Sequence, residues 1–396
     1  MNVAIFTDND FEKVNGVTTT LRALIKHAPD KVDARIYTCA GVGIDSPDYL
    51  SLGAHGVGIP FYREMKMYMP PLRRLLRHVR AAGVDVVHLT TPGPVGLAGL
   101  WVASKLGVRV IGSFHTDLAE YARLLSGSKW LGDLMRLYLR WMYRKCDRIF
   151  APSEATRDLL VRSGLDRSTI EIWRRGVSTT LFDPIKRSAA LREQWGVSAA
   201  RPAVLYVGRL SREKNLGALP ALSRHLTYAG VAHRVIFVGN GPMRHELEEI
   251  CPDAHFAGTQ TPEQVAVSMA SSDVFVFPSE TDTAGNVVLE AQASGLPVLV
   301  SARGGPRENM RPGETGFICD TLTELARRVA LLARRHDTRR RLGIAARAYS
   351  LTREWETALE PLYRSYLRQM SRANSEREHG TFSEPSAITR ALDPRR

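Results

Sequence analysis

Short apolar runs rich in Val, Ile and Phe alternate along this chain with segments whose apolar residues recur every three or four positions. The runs at Val3–Thr7, Ala34–Cys39, Val84–Leu89, Val108–Ser113 and Arg148–Ala151 predict a first series of strands. A second series is predicted at Ala203–Val207, Arg234–Val238, Ala254–Ala257, Val274–Pro278 and Pro297–Ser301. Helical spacing lies between them, as at Thr18–His27, Leu72–Ala82, Trp130–Lys145, Met243–Ile250 and Pro262–Ala270. Strand–helix alternation implies parallel sheets covered by helices, and two such series imply an α/β protein of two Rossmann-like domains.

Breaks in the pattern suggest the boundaries. The first domain is expected over 1–182 and the second over 202–352. Between them, 183–201 reads as a linker: Asp183, Pro184 and the polar stretch to Arg187 interrupt the alternation, and Leu191–Trp195 forms a short helix. Residues 353–370 predict a final helix that packs back toward the first domain. The remaining 371–396 is polar and without periodicity, and is expected to be a disordered tail.

Composition narrows the class. A chain of 396 residues with 44% hydrophobic and 24% charged side chains has material for two cores, which excludes a mostly disordered or fibrous protein. Lys and Arg outnumber Asp and Glu by 54 to 41, giving +13. That excess favours an anionic partner (nucleic acid, a membrane surface or a phosphorylated ligand) without choosing among them. Cys39, Cys146, Cys251 and Cys319 stand too far apart for a zinc site and read as reduced thiols of a cytoplasmic protein. Asp8 and Asp10 interrupt the opening apolar run, so no signal peptide is expected. No run reaches the ~18 apolar residues of a membrane-spanning helix. Membrane contact is therefore expected to be peripheral.

The candidate chemistry sits where strands hand over to helices. After the first strand, Asn15-Gly16-Val17 enters a helix, and Gly16 either lets an anion approach the backbone or is a plain turn glycine. Asp8-Asn9-Asp10 has the form of an oxygen-ligand metal site, but no third carboxylate follows, and two polar loop residues with one capping a turn explain it as well. His115, in Phe114-His115-Thr116, follows another strand; a lone histidine there serves either structure or a ligand.

In the second series, Gly208-Arg209 and Lys214 lie in one strand-to-helix loop. Arg209 offers a forked contact to phosphate oxygens and Lys214 a mobile point charge, so the two suit one diphosphate or else a solvated loop. Asp282, Gly285, Asn286 and Glu290 follow the strand at Val274–Pro278. Carboxylates beside helix-entry amides suit a hydroxyl-rich ligand; alternatively Asp282 caps the helix and Glu290 pairs with an arginine. Residues 61–80 interleave Arg63, Lys66, Arg73, Arg74, Arg77 and Arg80 with Met and Leu. They fit a helix resting on an anionic membrane, or a surface helix with Leu72, Leu75, Leu76 and Val79 in the core. No nucleic-acid-binding motif is present, so nucleic acid is not expected as a partner.

Taken jointly, Asn15-Gly16-Val17, Phe114-His115-Thr116, Gly208-Arg209 with Lys214, Val238-Gly239-Asn240-Gly241-Pro242, the Asp282–Glu290 cluster and Ala293-Ser294-Gly295-Leu296-Pro297-Val298 resemble the retaining glycosyltransferases of family 4, which have the GT-B fold. The likeness spans residues 1–370, and the opening resembles the branch of GDP-mannose-dependent α-mannosyltransferases and sulfoquinovosyltransferases. It implies two domains facing each other across a cleft, and metal-independent transfer of a hexose from a nucleotide diphosphate sugar, GDP-mannose or a UDP-sugar, to a lipid or glycan acceptor. It further implies that Arg209 and Lys214 bind the donor pyrophosphate, Gly16 lies against a donor phosphate, and Glu290 holds the ribose. Asp282, at the first acidic position of the family's E-x7-E motif, and His115 would meet the sugar. No cofactor is implied. Asp282 in place of Glu, and Ala284 where many relatives carry Phe, are departures that bear on the identity of the sugar. A nucleotide-sugar epimerase of the same fold and a non-catalytic sugar-nucleotide or membrane-surface binding protein are the alternatives.

Overall fold

A computed structural model of the chain describes residues 1–11, 15–54, 56–59 and 62–378. They form two compact units, Met1–Arg174 joined by the chain from Leu359, and Arg175–Ala358.

The first unit carries strands β1 (Asn2–Phe6), β2 (Asp33–Thr38), β3 (Ile44–Asp45), β4 (Tyr49–Ser51), β5 (Gly56–Ile59), β6 (Tyr62–Tyr68), β7 (Val86–Leu89), β8 (Arg109–Ser113), β9 (Arg148–Ala151) and β10 (Ile170–Ile172). All but β5 and β6, which form a separate two-stranded ribbon, join one sheet in the order β10-β9-β8-β7-β1-β2-β4-β3. Its pairings are parallel except for β3 on β4. Helices α1 (Gly16–Lys26), α2 (Leu72–Ala81), α3 (Pro94–Leu106), α4 (Leu118–Ser126), α5 (Lys129–Tyr143) and α6 (Glu154–Arg162) connect them.

Local chemistry accounts for the starts of these helices. Asn15 caps α1 by accepting from the amides of Val17 and Thr18, while its own amide donates to the Thr18 hydroxyl. Asp8 is spent on the entry to α3. Its buried carboxylate accepts from the Thr91 hydroxyl (2.6 Å) and the amides of Gly93 (3.0 Å), Val95 (2.8 Å) and Gly96 (3.3 Å). Burial pushes its pKa up against the pull of those four donors. Asp8 is therefore the capping residue of the two readings offered for the Asp8-Asn9-Asp10 triplet. In α2, Leu75 and Val79 are buried whereas Leu72 is exposed, so the core stripe is narrower than the sequence suggested.

The second unit carries β11 (Ala203–Val207), β12 (Arg234–Val238), β13 (His255–Gly258), β14 (Val274–Phe277), β15 (Val298–Ser301) and β16 (Gly316–Cys319), with helices α7 (Ala189–Gln194), α8 (Ala218–Tyr228), α9 (Arg244–Ile250), α10 (Pro262–Ala270), α11 (Asn286–Ala293), α12 (Leu322–Arg334) and α13 (His336–Leu351). The sheet is wholly parallel in the order β13-β12-β11-β14-β15-β16. The order reverses between β11 and β14, which opens a crevice at the carboxyl ends of those two strands.

Two boundaries differ from expectation. Residues 183–201 are no linker. Arg187 and Arg192 both reach Asp273 (3.0 and 2.9 Å), and Trp195 and Val197 are buried in the core of the second unit. Polar residues at a pattern break look like a linker, but here they grip the sheet. The last helix, α14 (Trp355–Glu378), runs eight residues past Met370. The start of the expected tail is thus helical, and 379–396 lies outside the described residues. From Leu359 onward α14 belongs to the first unit: the Tyr363 hydroxyl donates to Leu24 O (2.6 Å), and Tyr366 shares a 2.6 Å hydrogen bond with His88 Nδ1. His88 is itself fully buried, and its Nε2 shares a second bond with Ser113 (2.6 Å).

Candidate functional site

The reversal point of the second sheet gathers most of the candidate residues. Val207 ends β11, and the chain crosses Gly208 and Arg209 into a 3-10 turn over Arg212–Lys214. The Tyr206 hydroxyl donates to Arg209 O (3.0 Å), and the Ser211 hydroxyl donates to buried Glu213 (2.5 Å). Arg209 is half-buried; desolvation pulls its pKa down and the neighbouring Glu213 carboxylate opposes that. A guanidinium starts so high that it stays charged.

The loop after β12 supports this one backbone to backbone. Leu210 N donates to Asn240 O (3.0 Å) and Met243 N to Leu210 O (2.9 Å). Gly239 has φ +128°, and a Cβ there would lie 2.0 Å from Gly208 O. Gly239→Ala is accordingly expected to destabilise the second unit by more than about 3 kcal/mol, a fall in Tm of about 6 °C or more, whereas Gly217→Ala, with nothing near its Cβ position, stays within about 0.5 kcal/mol of the parent. Thermal unfolding of the two variants checks it.

From the other side of the crevice, β14 ends at Phe277 and leads into Pro278–Gly285. Asn215 Nδ2 donates to Pro278 O (3.4 Å), and the Thr281 hydroxyl donates to Glu213 O (3.0 Å), so the two loops are tied. Lys214 Nζ then donates to both oxygens of Asp282, at 2.8 and 2.9 Å, in a pair only 14% and 20% exposed. Asp282 is thus not the cap of α11. That place is taken by Gly285 in the left-handed conformation (φ +69°), where a Cβ would meet Pro306 at 2.8 Å. Asn286 opens the helix, and Asn309 Nδ2 holds the loop from behind by donating to Ala284 O (2.6 Å). The first turn of such a helix presents amides without intrahelical acceptors and the positive end of its dipole.

Glu290 lies one turn further along α11. Among the described residues its carboxyl makes no side-chain hydrogen bond or ion pair. Burial pushes its pKa up to about 7. The arginine partner considered for it is absent among the described residues.

Gly16 and His115 lie in the first unit. Gly16 is the exposed first residue of α1, beyond the carboxyl end of β1. His115 follows β8 with its ring edge-on to buried Trp173 (centroids 6.1 Å apart). Asp117, two residues on, caps α4 through Glu120 N (3.0 Å). A cavity of about 490 Å³ in this unit, lined by Asn2, Asp33 and Arg35, opens at the amino ends of β1 and β2. That is the opposite edge from the one α/β sheets use for ligands.

The sequence pattern did not single out Glu213 or Asn309. Each acts on backbone or on a neighbour rather than on a ligand. Glu213 had one signal, an acid between two candidate cations.

All four cysteines are buried and unpaired. Among the described residues, no group of three or more metal-binding side chains converges, and no helix is long and apolar enough to cross a membrane.

Comparison with known proteins covers almost the whole chain. The family model for Glycosyltransferase Family 4 matches residues 14–181, and that for Glycosyl transferases group 1 matches residues 188–349. A GDP-mannose-dependent alpha-mannosyltransferase of Mycobacterium tuberculosis is 32% identical over 372 residues, covering 92% of this chain and 96% of the relative. The sulfoquinovosyl transferase SQD2 of Arabidopsis thaliana is 29% identical over 368 residues, covering 90% and 71%. Among solved structures, Anabaena HepE in complex with UDP-glucose superposes with a TM-score of 0.73 at 17% identity, covering 94% of this chain and 99% of that one.

Proposed function

Since this chain belongs to glycosyltransferase family 4 and is a glycosyltransferase, we propose that it moves a hexose, mannose from GDP-mannose, onto a lipid or glycan hydroxyl with retention of anomeric configuration and without a metal ion. One observation carries the reading. A cation, two carboxyl groups and a helix entrance converge at the sheet reversal: Lys214 on Asp282, then Gly285 and Asn286, with Glu290 one turn on.

The roles follow from charge. As the bond from the sugar's C1 to the donor phosphate breaks, its electron pair stays on the diphosphate, whose charge grows. Arg209 and Lys214 are placed in one loop to meet that growth. The dipole of α11 adds to them. Glu290, whose carboxyl has no side-chain partner among the described residues, accepts the ribose hydroxyls. Asp282 turns from Lys214 to the sugar hydroxyls when Lys214 turns to phosphate. The acceptor oxygen forms its bond to C1 on the face the diphosphate leaves. Its proton passes to a leaving phosphate oxygen, so no protein carboxylate is needed as a nucleophile. The E-x7-E position held by Asp282 is one methylene short, which suits a carboxylate that first reaches Lys214.

Thermal unfolding with a panel of GDP- and UDP-sugars tests the donor. GDP-mannose at about a hundred times its Kd is expected to add about 2.7 kcal/mol to the second unit, raising Tm by about 5 °C or more. Sugar transfer is expected to continue at an unchanged rate in EDTA. Stabilisation by UDP-sugars alone replaces the donor; a new sugar epimer formed without acceptor replaces the reaction.

A further inference from the structure

Helix α5 presents two apolar faces. On one, Leu139, Met142 and Tyr143 enter the core of the first unit. On the other, Trp130 (70% exposed), Leu134 (47%), Leu137 (62%) and Trp141 (46%) recur at intervals of four, three and four residues, the spacing of a single helical stripe. The stripe extends about 16 Å along the axis at the usual rise per residue. A surface helix of a globular domain needs only its inner face to be apolar, so this outer one calls for an occupant. Among the described residues, Trp130 and Trp141 are the two exposed tryptophans.

We propose that the outer face of α5 is a membrane-docking surface that lays Trp130, Leu134, Leu137 and Trp141 into the interface of an anionic lipid bilayer. Charge selects this occupant. Lys129, Arg136, Arg140, Arg144 and Lys145 accompany the stripe, against one acid, Asp133, which Arg136 already holds at 2.7 Å. Lys129, Arg136, Arg144 and Lys145 are exposed. Tryptophans among leucines with basic residues alongside match the interfacial zone, where the ring sits at headgroup depth and the cations reach lipid phosphates. An obligate protein interface depletes lysine from its core rather than lining it.

The sequence offered 61–80 for such contact beside the reading of an ordinary surface helix; residue 61 and the side chains of 62–65 lie outside the described residues, and α2 is the poorer candidate. In α2 the apolar residues Leu75 and Val79 are spent on the core, leaving Arg73, Arg74, Arg77 and Arg80 outward with Leu72 alone beside them. That face can attract an anionic surface, but with Met67 and Met69 ahead of the helix and Leu72 on it, it offers no aromatic ring to the interface. α5 has both components.

Vesicle binding needs no turnover, so the inference stands or falls apart from the donor reading. The full-chain protein is sedimented with phosphatidylcholine–phosphatidylglycerol vesicles and with phosphatidylcholine vesicles, at low and high salt. Binding to the anionic vesicles, weakened by salt, is expected. Trp130→Ser/Trp141→Ser and, separately, Leu134→Glu/Leu137→Glu are each expected to lower that binding by about tenfold or more, with Tm unchanged because the side chains are exposed. Equal binding by parent and variants overturns the proposal. Loss of binding only on reversing Arg73, Arg74 and Arg77 moves the contact to α2 and also overturns it. Absence of vesicle binding, with a concentration-dependent dimer that the same substitutions abolish, assigns the face to a second copy of the chain instead.

Discussion

Lys214→Ala is expected to lower kcat by about a hundred- to a thousandfold, the size of effect seen when one preorganised donor to a developing negative charge is removed. The ammonium sits in the loop after β11, tied to the loop after β14, and is largely withdrawn from water, where a charge acts strongly. Loss of activity alone does not separate chemistry from folding. The variant also strands Asp282, and leaving one member of a mostly buried pair uncompensated costs up to about 3 kcal/mol. Lys214→Ala/Asp282→Asn removes that stranded charge. It is expected to recover the parent's Tm to within about 1 kcal/mol and to remain inactive. Recovery of turnover in the double variant would mean that Lys214 only neutralises Asp282. Arg209→Ala is expected to fall in the same range, and Arg209→Lys to recover little, because a point charge does not replace a two-pronged fork.

The second large effect is a pH dependence set by Glu290. Its carboxyl ionises near pH 7 in the free chain because burial disfavours the charge. If ribose hydroxyls donate to it, the ionised form binds. Donor affinity then falls about tenfold per unit as pH drops below 7 and levels off above it. Glu290→Gln is expected to flatten that slope and to bind donor at least about tenfold more weakly at pH 8, where the parent is ionised. The same group gives the opposite slope to stability. Its native pKa lies above the ordinary value of 4.5, so the folded chain holds a proton that the unfolded chain has released. Its contribution to stability is therefore present below about pH 4.5 and is lost as pH rises to about 7. At pH 8 Glu290→Gln should raise Tm while weakening binding. A flat binding profile in the parent, measured by calorimetry between pH 5.5 and 8.5, would remove the ribose role.

The architecture was legible because strand–helix alternation is written locally. Arg148–Ala151, Ala203–Val207, Arg234–Val238 and Pro262–Ala270 fall on the elements read from apolar spacing alone. Residues 94–106 offered no stripe to read. Apart from Ser104 and Lys105, α3 is apolar or glycine on all sides, since Gly96 approaches Thr91 O and Gly99 approaches Phe6 so closely that no Cβ fits. Residues 183–201 read as a linker for a related reason: Arg187 and Arg192 look like solvent residues until Asp273, 86 and 81 positions away, is brought beneath them by the sheet.

For the site, residue types and loop positions were legible, since a strand's carboxyl end is where ligands bind in these sheets. The pairing was not. Nothing local places the Lys214 ammonium on the Asp282 carboxylate, 68 residues apart; that follows from β11 and β14 being neighbours. Nor does spacing reveal that Glu290 is left without an arginine among the described residues. In sequence the stripe on α5 is indistinguishable from an ordinary helical pattern, because apolar residues on both faces look the same as a broad buried face.

The direct test is a crystal structure of the chain soaked with GDP-mannose. Lys214 is expected to leave Asp282 and, with Arg209, to lie within hydrogen-bond distance of the diphosphate oxygens, while Glu290 accepts from the ribose. Nucleotide bound elsewhere, with the Lys214–Asp282 pair intact and Arg209 turned away from it, would contradict the account.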